Sequence, residues 1–138
     1  LLQVYQPTVS NANYGLFRSP ERSGTLSPTV PRVALQLTAA DATLTMDART
    51  TFALVTEGYL LLDVTNSAFL SQLSVATDRA GVVRLNGAGV VAPTGIFVSR
   101  STSDRMAGAL TSDGLEAGML FEKRAGDGVI QGISVWGQ

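Results

Sequence analysis

Residues 81–100 constrain the fold more than any other stretch of this chain, because they combine three apolar runs with two groups of turn-forming residues. They read GVVRLNGAGVVAPTGIFVSR, with Asn86-Gly87 after the first run and Pro93-Thr94-Gly95 after the second. Asn-Gly between apolar runs is typical of a tight type I′ hairpin turn. The stretch therefore predicts three consecutive antiparallel strands, with Val83 and Leu85 facing the core.

The same stretch contains Gly87-x-Gly89-x-x-Ala92, which has the spacing of a dinucleotide-binding loop. A phosphate site of that kind needs a helix that opens at the glycines and points its amino end at the ligand. Pro93 and Gly95 fall in the first two turns of the required helix, and no alternating strand–helix pattern surrounds the motif. We therefore interpret the glycines as turn residues and expect no cofactor.

The remainder of the chain from Arg32 onward has the rhythm of short antiparallel strands. Apolar residues alternate with polar or small ones, as in Val33, Leu35 and Leu37, and this period of two places one face in a core. Turns are predicted at Ala39–Asp41, Glu57-Gly58, Asn66-Ser67, Asp78–Gly81 and Asp127-Gly128. Ala68–Leu70 is predicted to be a short helical or irregular link. Residues 101–118 are predicted to form a polar loop with at most one helical turn, which Asp104 would cap. Frequent turns without long helices predict an all-β fold, an antiparallel β-sandwich or jelly roll over residues 32–138.

Two strands stand out within this pattern. Tyr59–Val64 is an almost continuous apolar run, which predicts burial on both faces. In the last strand, Ile130, Gly132, Ser134 and Trp136 fall on one face, and Val129, Gln131, Ile133 and Val135 fall on the other.

Residues 1–31 form a separate region, an extended proline-rich arm. Four of the five prolines lie there, and proline disfavours regular hydrogen-bonded structure. The arm is too apolar for a free linker, so it must pack either on its own domain or on a neighbouring subunit. The candidate assembly-interface residues are Leu1, Leu2, Val4, Tyr5, Tyr14, Leu16, Phe17 and, near the carboxyl end, Trp136.

Composition excludes several classes of function. The chain has 138 residues, enough for one domain, with 15% charged residues and a net charge of −1. Without a basic block, a nucleic-acid partner is not expected. No apolar run is long enough for a membrane-spanning helix. The absence of His and Cys excludes histidine triads, thiolate nucleophiles, disulfides and zinc sites built from those residues.

The remaining polar residues give weak support for catalysis or metal binding. Most acids lie in turns, where turn chemistry explains them, and no Asp-x-Asp-x-Asp spacing favours calcium. Asp63 lies within the most apolar strand, where we expect it to face outward or to pair with an arginine. Lys123, the one lysine, lies in Glu122-Lys123-Arg124 and is interpreted as a solvated strand end rather than a catalytic base.

These observations predict a non-catalytic structural protein that self-assembles through its arm and β-domain, as a homo-oligomer or larger assembly. A low charge content fits a surface covered by neighbours, as in a virion, capsid, tail, filament or surface layer, and favours an extracellular or virion location. The alternative is a carbohydrate- or ligand-binding β module of a cell-surface or phage protein. A third hypothesis, an enzyme that uses carboxylates only, requires two acids facing each other across a cleft.

Overall fold

A computed structural model describes residues 32–138 and two short strands that precede them. Ten strands are present in these regions: β1 (Val9–Ser10), β2 (Gly15–Leu16), β3 (Arg32–Met46), β4 (Arg49–Asp63), β5 (Ala68–Ala76), β6 (Val82–Val91), β7 (Ile96–Ser99), β8 (Asp104–Leu110), β9 (Glu116–Ala125) and β10 (Gly128–Gly137). The first two pair with each other as an antiparallel hairpin. The all-β prediction is confirmed for this part of the chain.

The other eight strands form a closed antiparallel barrel in which each strand pairs with its neighbours in sequence. The barrel closes where β10 pairs with β3, from Val129 opposite Thr45 to Gly137 opposite Gln36. The predicted sandwich or jelly roll is therefore wrong. Closure depends on pairing between strands nearly a hundred residues apart, which local strand and turn patterns do not encode.

Long strands replace several of the predicted turns. Residues Ala39–Asp41 lie inside β3, and Glu57-Gly58 lies inside β4 beside a register shift between Val55 and Glu57. Such a bulge bends a strand and increases its twist, which helps a sheet to close. The chain turns instead at Asp47 and Ala48, which both have positive φ, as in a type I′ hairpin.

The stretch 81–100 forms two strands rather than three. Asn86-Gly87 lies in the middle of β6, and the predicted tight turn there is wrong. Gly87 faces inward, where a Cβ would overlap the Met106 side chain, and a Cβ on Gly89 would overlap the Val98 carbonyl. These glycines allow close packing within a strand.

Other features of residues 81–100 agree with the predictions made from the sequence. The Pro93–Gly95 turn is present, closed by the Ala92 amide donating to the Ile96 carbonyl at 2.8 Å. Leu85 is buried and Val83 packs against the core, as predicted.

Two segments expected to be irregular are also strands. Ala68–Leu70 begins β5, and Asp104 begins β8 instead of capping a helical turn. The final hairpin is confirmed, although its turn residues are Gly126 and Asp127 rather than Asp127-Gly128.

The barrel interior is filled by side chains. The largest fully buried ones are Trp136, Phe97, Phe121, Leu44, Leu60, Leu62, Leu73, Leu85, Met106, Leu110, Met119 and Ile130. The rings of Phe69 and Phe97 pack with centroids 5.0 Å apart. An eight-stranded barrel is just wide enough for its own side chains, so the interior serves as the core.

Candidate functional site

The outer wall of the barrel carries a continuous apolar surface across four strands, β4–β7. Leu61 lies opposite Leu70, and Leu70 lies opposite Ala88. In the next row, Val90 lies opposite Val98. All five side chains are exposed. We call Leu61, Leu70, Ala88, Val90 and Val98 the wall patch.

The same wall continues onto β8 and β9, where it is covered. Val98 lies opposite Ala107, and Ala107 lies opposite Leu120. Leu120 is 4% exposed although it is not part of the core cluster. β2 contacts β9, the strand that carries Leu120. The apolar strip that begins at the wall patch therefore continues to a buried leucine on β9, the strand that β2 contacts.

Polar side chains border this covered strip. Glu122 lies between Arg105 and Gln131 on neighbouring strands, and its carboxylate accepts hydrogen bonds from both, at 3.5 Å from Arg105 Nη1. Together with Val98 and Ala107 they line an outer groove of about 520 Å³. These groups satisfy one another, so the groove combines an apolar floor with a paired polar rim.

A polar band separates the wall patch from a second exposed apolar cluster. In that band, Tyr59 lies opposite Gln72, and Gln72 lies opposite Asn86. Beyond it, Leu54 lies opposite Ala76, which lies opposite Val82. The exposed residues of this second cluster are Phe52, Leu54 and Val82.

Lys123 and Asp104 form an ion pair where β7 ends. Lys123 Nζ lies 3.0 Å from Asp104 Oδ1 and donates to the Arg84 carbonyl at 2.9 Å. The Asn86 amide donates to Asp104 Oδ2 at 2.8 Å. β7 stops at Ser99, so these two side chains bond to the stretch of β6 that no longer has β7 beside it.

This arrangement corrects the interpretation of Lys123 as a solvated strand end. Burial alone would raise the pKa of Asp104, but the hydrogen bonds from the Asn86 amide and Lys123, with the positive charge of Lys123, lower it overall. The carboxylate of Asp104 is thus held in its charged form by structural partners. Lys123 therefore links β9 to β8 through Asp104 and to β6 through the Arg84 carbonyl.

Asp63 has the arginine partner that its sequence position predicts. Arg32 Nε lies 3.3 Å from Asp63 Oδ2, and the carboxylate also accepts hydrogen bonds from the side chain and amide of Asn66. The Asn66 hydrogen bonds, with the Arg32 charge, lower the pKa of Asp63. Asp63 therefore closes the turn between β4 and β5.

The predicted interface residues have different outcomes. Trp136 is fully buried and donates from Nε1 to Ser134 Oγ at 2.8 Å, so its assignment to a surface is wrong. Leu16 lies in β2. The others, Leu1, Leu2, Val4, Tyr5, Tyr14 and Phe17, lie outside the described residues, and their role remains a prediction.

The wall patch is what sequence reasoning missed. The apolar run Tyr59–Val64 was a signal for it, because it predicted burial on both faces of a strand. In the barrel only one face of that strand is buried: Leu60 and Leu62 point inward, and Leu61 is exposed. The strand therefore has the second apolar face that the sequence indicates, but this face is exposed on the outer wall of the barrel.

Across residues 32–138 and the two short strands, no cluster of three acidic, His or Cys side chains is placed to hold a metal ion. The same regions contain no helix that is long and apolar enough to cross a membrane. Gly87 and Gly89, which have the spacing of a dinucleotide-binding loop, lie within β6, and no helix follows β6 to face a phosphate.

Comparison with known protein families and with curated protein sequences gives no match for this chain.

Proposed function

We propose that this chain is a non-catalytic structural protein that self-assembles through the outer wall of its barrel and its amino-terminal segment. The wall patch is the observation that carries this proposal. Exposed apolar side chains that form one contiguous surface are typical of protein–protein interfaces, whereas isolated ones are common on any protein.

The filled interior supports the same proposal. Barrels that bind small molecules keep an internal cavity, whereas here aromatic and aliphatic side chains occupy that space. Binding must then use the outer wall or the ends of the barrel. Because every barrel strand has a partner on both sides, association uses side-chain surfaces rather than the addition of strands to an edge.

The low charge content fits a repeating assembly. Only 15% of the residues are charged, and a single lysine is present. Interface cores are depleted in charged residues, and lysine in particular is rare there. A virion, tail, filament or surface-layer component has this character, and its location would be extracellular or within a virion.

Two matched substitutions on β6 test the proposal. Val90 in the wall patch and Val82 in the second apolar cluster both face outward, with exposures of 43% and 66%. Val90→Glu places a charge in the proposed interface and is expected to convert the assembly to monomers while the barrel remains folded. Val82→Glu is the control and should stay assembled.

Size-exclusion chromatography with light scattering gives the mass, and circular dichroism confirms the fold. A wild-type chain that stays monomeric at high concentration would overturn the proposal. Assembly that survives Val90→Glu as well as Val82→Glu would remove the wall patch from it.

The alternative, a carbohydrate-binding module, is favoured by one observation in the polar band. Tyr59 is partly exposed beside Gln72 and Asn86, a ring with neighbouring amides of the kind that hold a sugar. Under this alternative, Tyr59→Ala abolishes binding to a glycan array while leaving the mass of the protein unchanged. Under the assembly proposal, the wild-type chain gives no saturable glycan binding.

A further inference from the structure

Two apolar side chains of the covered strip on β8 and β9 are buried although they do not point into the barrel. Leu120 lies between Met119 and Phe121, which belong to the core cluster, so its side chain points to the outer wall. Ala109 points outward in the same way, next to the core residue Leu110. Leu120 and Ala109 are each only 4% exposed. Their burial therefore requires neighbours on the outer side of the wall.

The barrel wall itself does not provide this cover. Val98, in the same row of the wall, is 46% exposed, and Val135 on the neighbouring strand β10 is 43% exposed. The residues directly opposite Leu120 are Ala107 and Ile133, and both are themselves only half-buried. Outward side chains on both sides of the strip are thus in contact with solvent, so the cover is confined to β8 and β9.

The amino-terminal segment of the same chain contacts this part of the barrel. Among the described residues, β1 and β2 are the strands that do not belong to the barrel, and β2 contacts β9. Fifteen residues separate β2 from β3 and span up to about 50 Å when extended. Leu120 lies level with Asp41, which places it about 30 Å along β3 from Arg32 and roughly 10 Å away across β10. The segment can therefore reach the covered strip of its own barrel.

We propose that the amino-terminal segment docks on the covered strip of its own barrel and buries Leu120 and Ala109. Because the segment is tethered to that barrel, its effective concentration there is high, which favours docking within one chain over docking on another copy. The strip lies in one row with Val98 of the wall patch, so the docked segment borders the patch. The surface that a neighbouring copy meets then consists of the wall patch and the docked segment of one chain. This consequence rests on the proposed self-assembly, and it states how the segment takes part in it.

The absence of cysteine allows a direct test with a single thiol in the full-length chain. Leu120→Cys and Val98→Cys place the thiol at a covered and at an exposed position of one row, and a water-soluble maleimide measures the rate of labelling. We expect labelling of Leu120→Cys to be slower by at least about tenfold at every protein concentration, because a segment of the same chain must open first. Leu16→Pro places a proline in β2 and disfavours its pairing with β1. It should raise the labelling of Leu120→Cys to the rate of Val98→Cys and leave the rate of Val98→Cys unchanged.

Dilution and the Val90→Glu change separate this inference from the proposed function, with circular dichroism to confirm that each variant keeps its fold. Protection of Leu120→Cys should persist in dilute protein and in monomers produced by Val90→Glu. Protection lost in either case would mean that a neighbouring copy covers Leu120, which overturns the docking and leaves the proposed function standing. Protection that survives Leu16→Pro, or equal labelling of Leu120→Cys and Val98→Cys, would also overturn the docking. A wild-type chain that is always monomeric, with Leu120→Cys protected, would overturn the proposed function and leave the docking standing.

Discussion

The two faces of β4 carry the same kind of side chain in opposite surroundings. Leu60 and Leu62 are 0% and 2% exposed in the barrel core, whereas Leu61 between them is 42% exposed on the outer wall. The inner face is explained by folding of one chain. The outer face is not, because an apolar side chain left in water contributes nothing to the stability of the barrel.

This difference shows that alternation and apolarity answer separate questions. The alternation of residues along a strand identifies which side chains share a face. The apolar character of a face predicts that this face is buried. A strand that is apolar on both faces is suited to two cores. The barrel supplies one of them, and under the proposed assembly a neighbouring copy supplies the other.

The largest expected effect separates the two faces of β4 directly. Leu60→Ala leaves a cavity in the core and should lower the free energy of unfolding by about 2–5 kcal/mol. Leu61→Ala, the matched control one residue away, should change that free energy by at most about 0.5 kcal/mol in the monomer. Urea denaturation followed by circular dichroism measures both. Similar losses for the two variants would mean that the outer face is a second core of the same chain.

The next largest loss of stability is expected on the inner face of β6, where two glycines have different neighbours. A Cβ at Gly89 would overlap the backbone of Val98, which cannot move aside, so Gly89→Ala should destabilise the barrel by about 3 kcal/mol or more. A Cβ at Gly87 would overlap the Met106 sulfur, and that flexible side chain can shift, so Gly87→Ala should cost roughly 1 kcal/mol. Thermal unfolding measures the loss of stability in each variant, and equal losses in the two variants would contradict this prediction.

A smaller effect is expected where the inner face meets solvent, at Asp104. Asp104→Asn removes the charge that pairs with Lys123 and should lower the free energy of unfolding at neutral pH by about 1–3 kcal/mol. The folded-state pKa of Asp104 lies below its ordinary value because of the Asn86 and Lys123 hydrogen bonds. Its contribution is therefore present above about pH 4 and is lost as the pH falls further and the carboxylate is protonated.

The pH dependence of unfolding checks this prediction. The difference between wild type and Asp104→Asn should shrink as the pH falls below about 4. Asp127→Asn, at an exposed position in the β9–β10 turn, is the control for a general effect of removing one acid. A difference between wild type and Asp104→Asn that stays constant down to strongly acidic pH would show that the charge of Asp104 does not stabilise the barrel.

The smallest expected change in the free energy of unfolding concerns the turn between β3 and β4, which belongs to neither the inner nor the outer face of the barrel. Ala48 has φ of 60°, a conformation that L-residues adopt at some cost, so Ala48→Gly should raise the free energy of unfolding by about 0.5–1 kcal/mol. Ala39→Gly, in the exposed part of β3, is the matched change and should lower it instead. Denaturant midpoints distinguish an increase from a decrease.

Sequence reasoning succeeded where local chemistry decides the structure. Alternation along the strand predicted the two faces of β10 and the inward positions of Val83 and Leu85. The cost of an unpaired charge predicted an arginine partner for Asp63, which is Arg32. It failed at Asn86-Gly87, where the pattern of a hairpin turn lies within a strand. The need for a small residue against Met106 outweighed the local turn preference, and no local pattern reveals such a packing partner.

The candidate site was harder to predict than the fold. Whether Leu61 is covered depends on how the sheet closes, and closure depends on the pairing of β10 with β3. Trp136 was misplaced for the same reason: its position near the carboxyl end suggested a surface, but β10 is a wall of the barrel with its inner face filled. The ion pair of Lys123 likewise depends on β7 ending early, which is a property of three strands together.

The burial of Trp136 gives the protein a spectroscopic reporter of its own. It is the only tryptophan in the chain, its ring is fully buried, and its indole N–H is bonded within the barrel. We expect blue-shifted fluorescence emission from the folded barrel and a red shift on unfolding. Because the ring lies inside, association at the outer wall should leave the emission unchanged, so one signal reports folding separately from assembly.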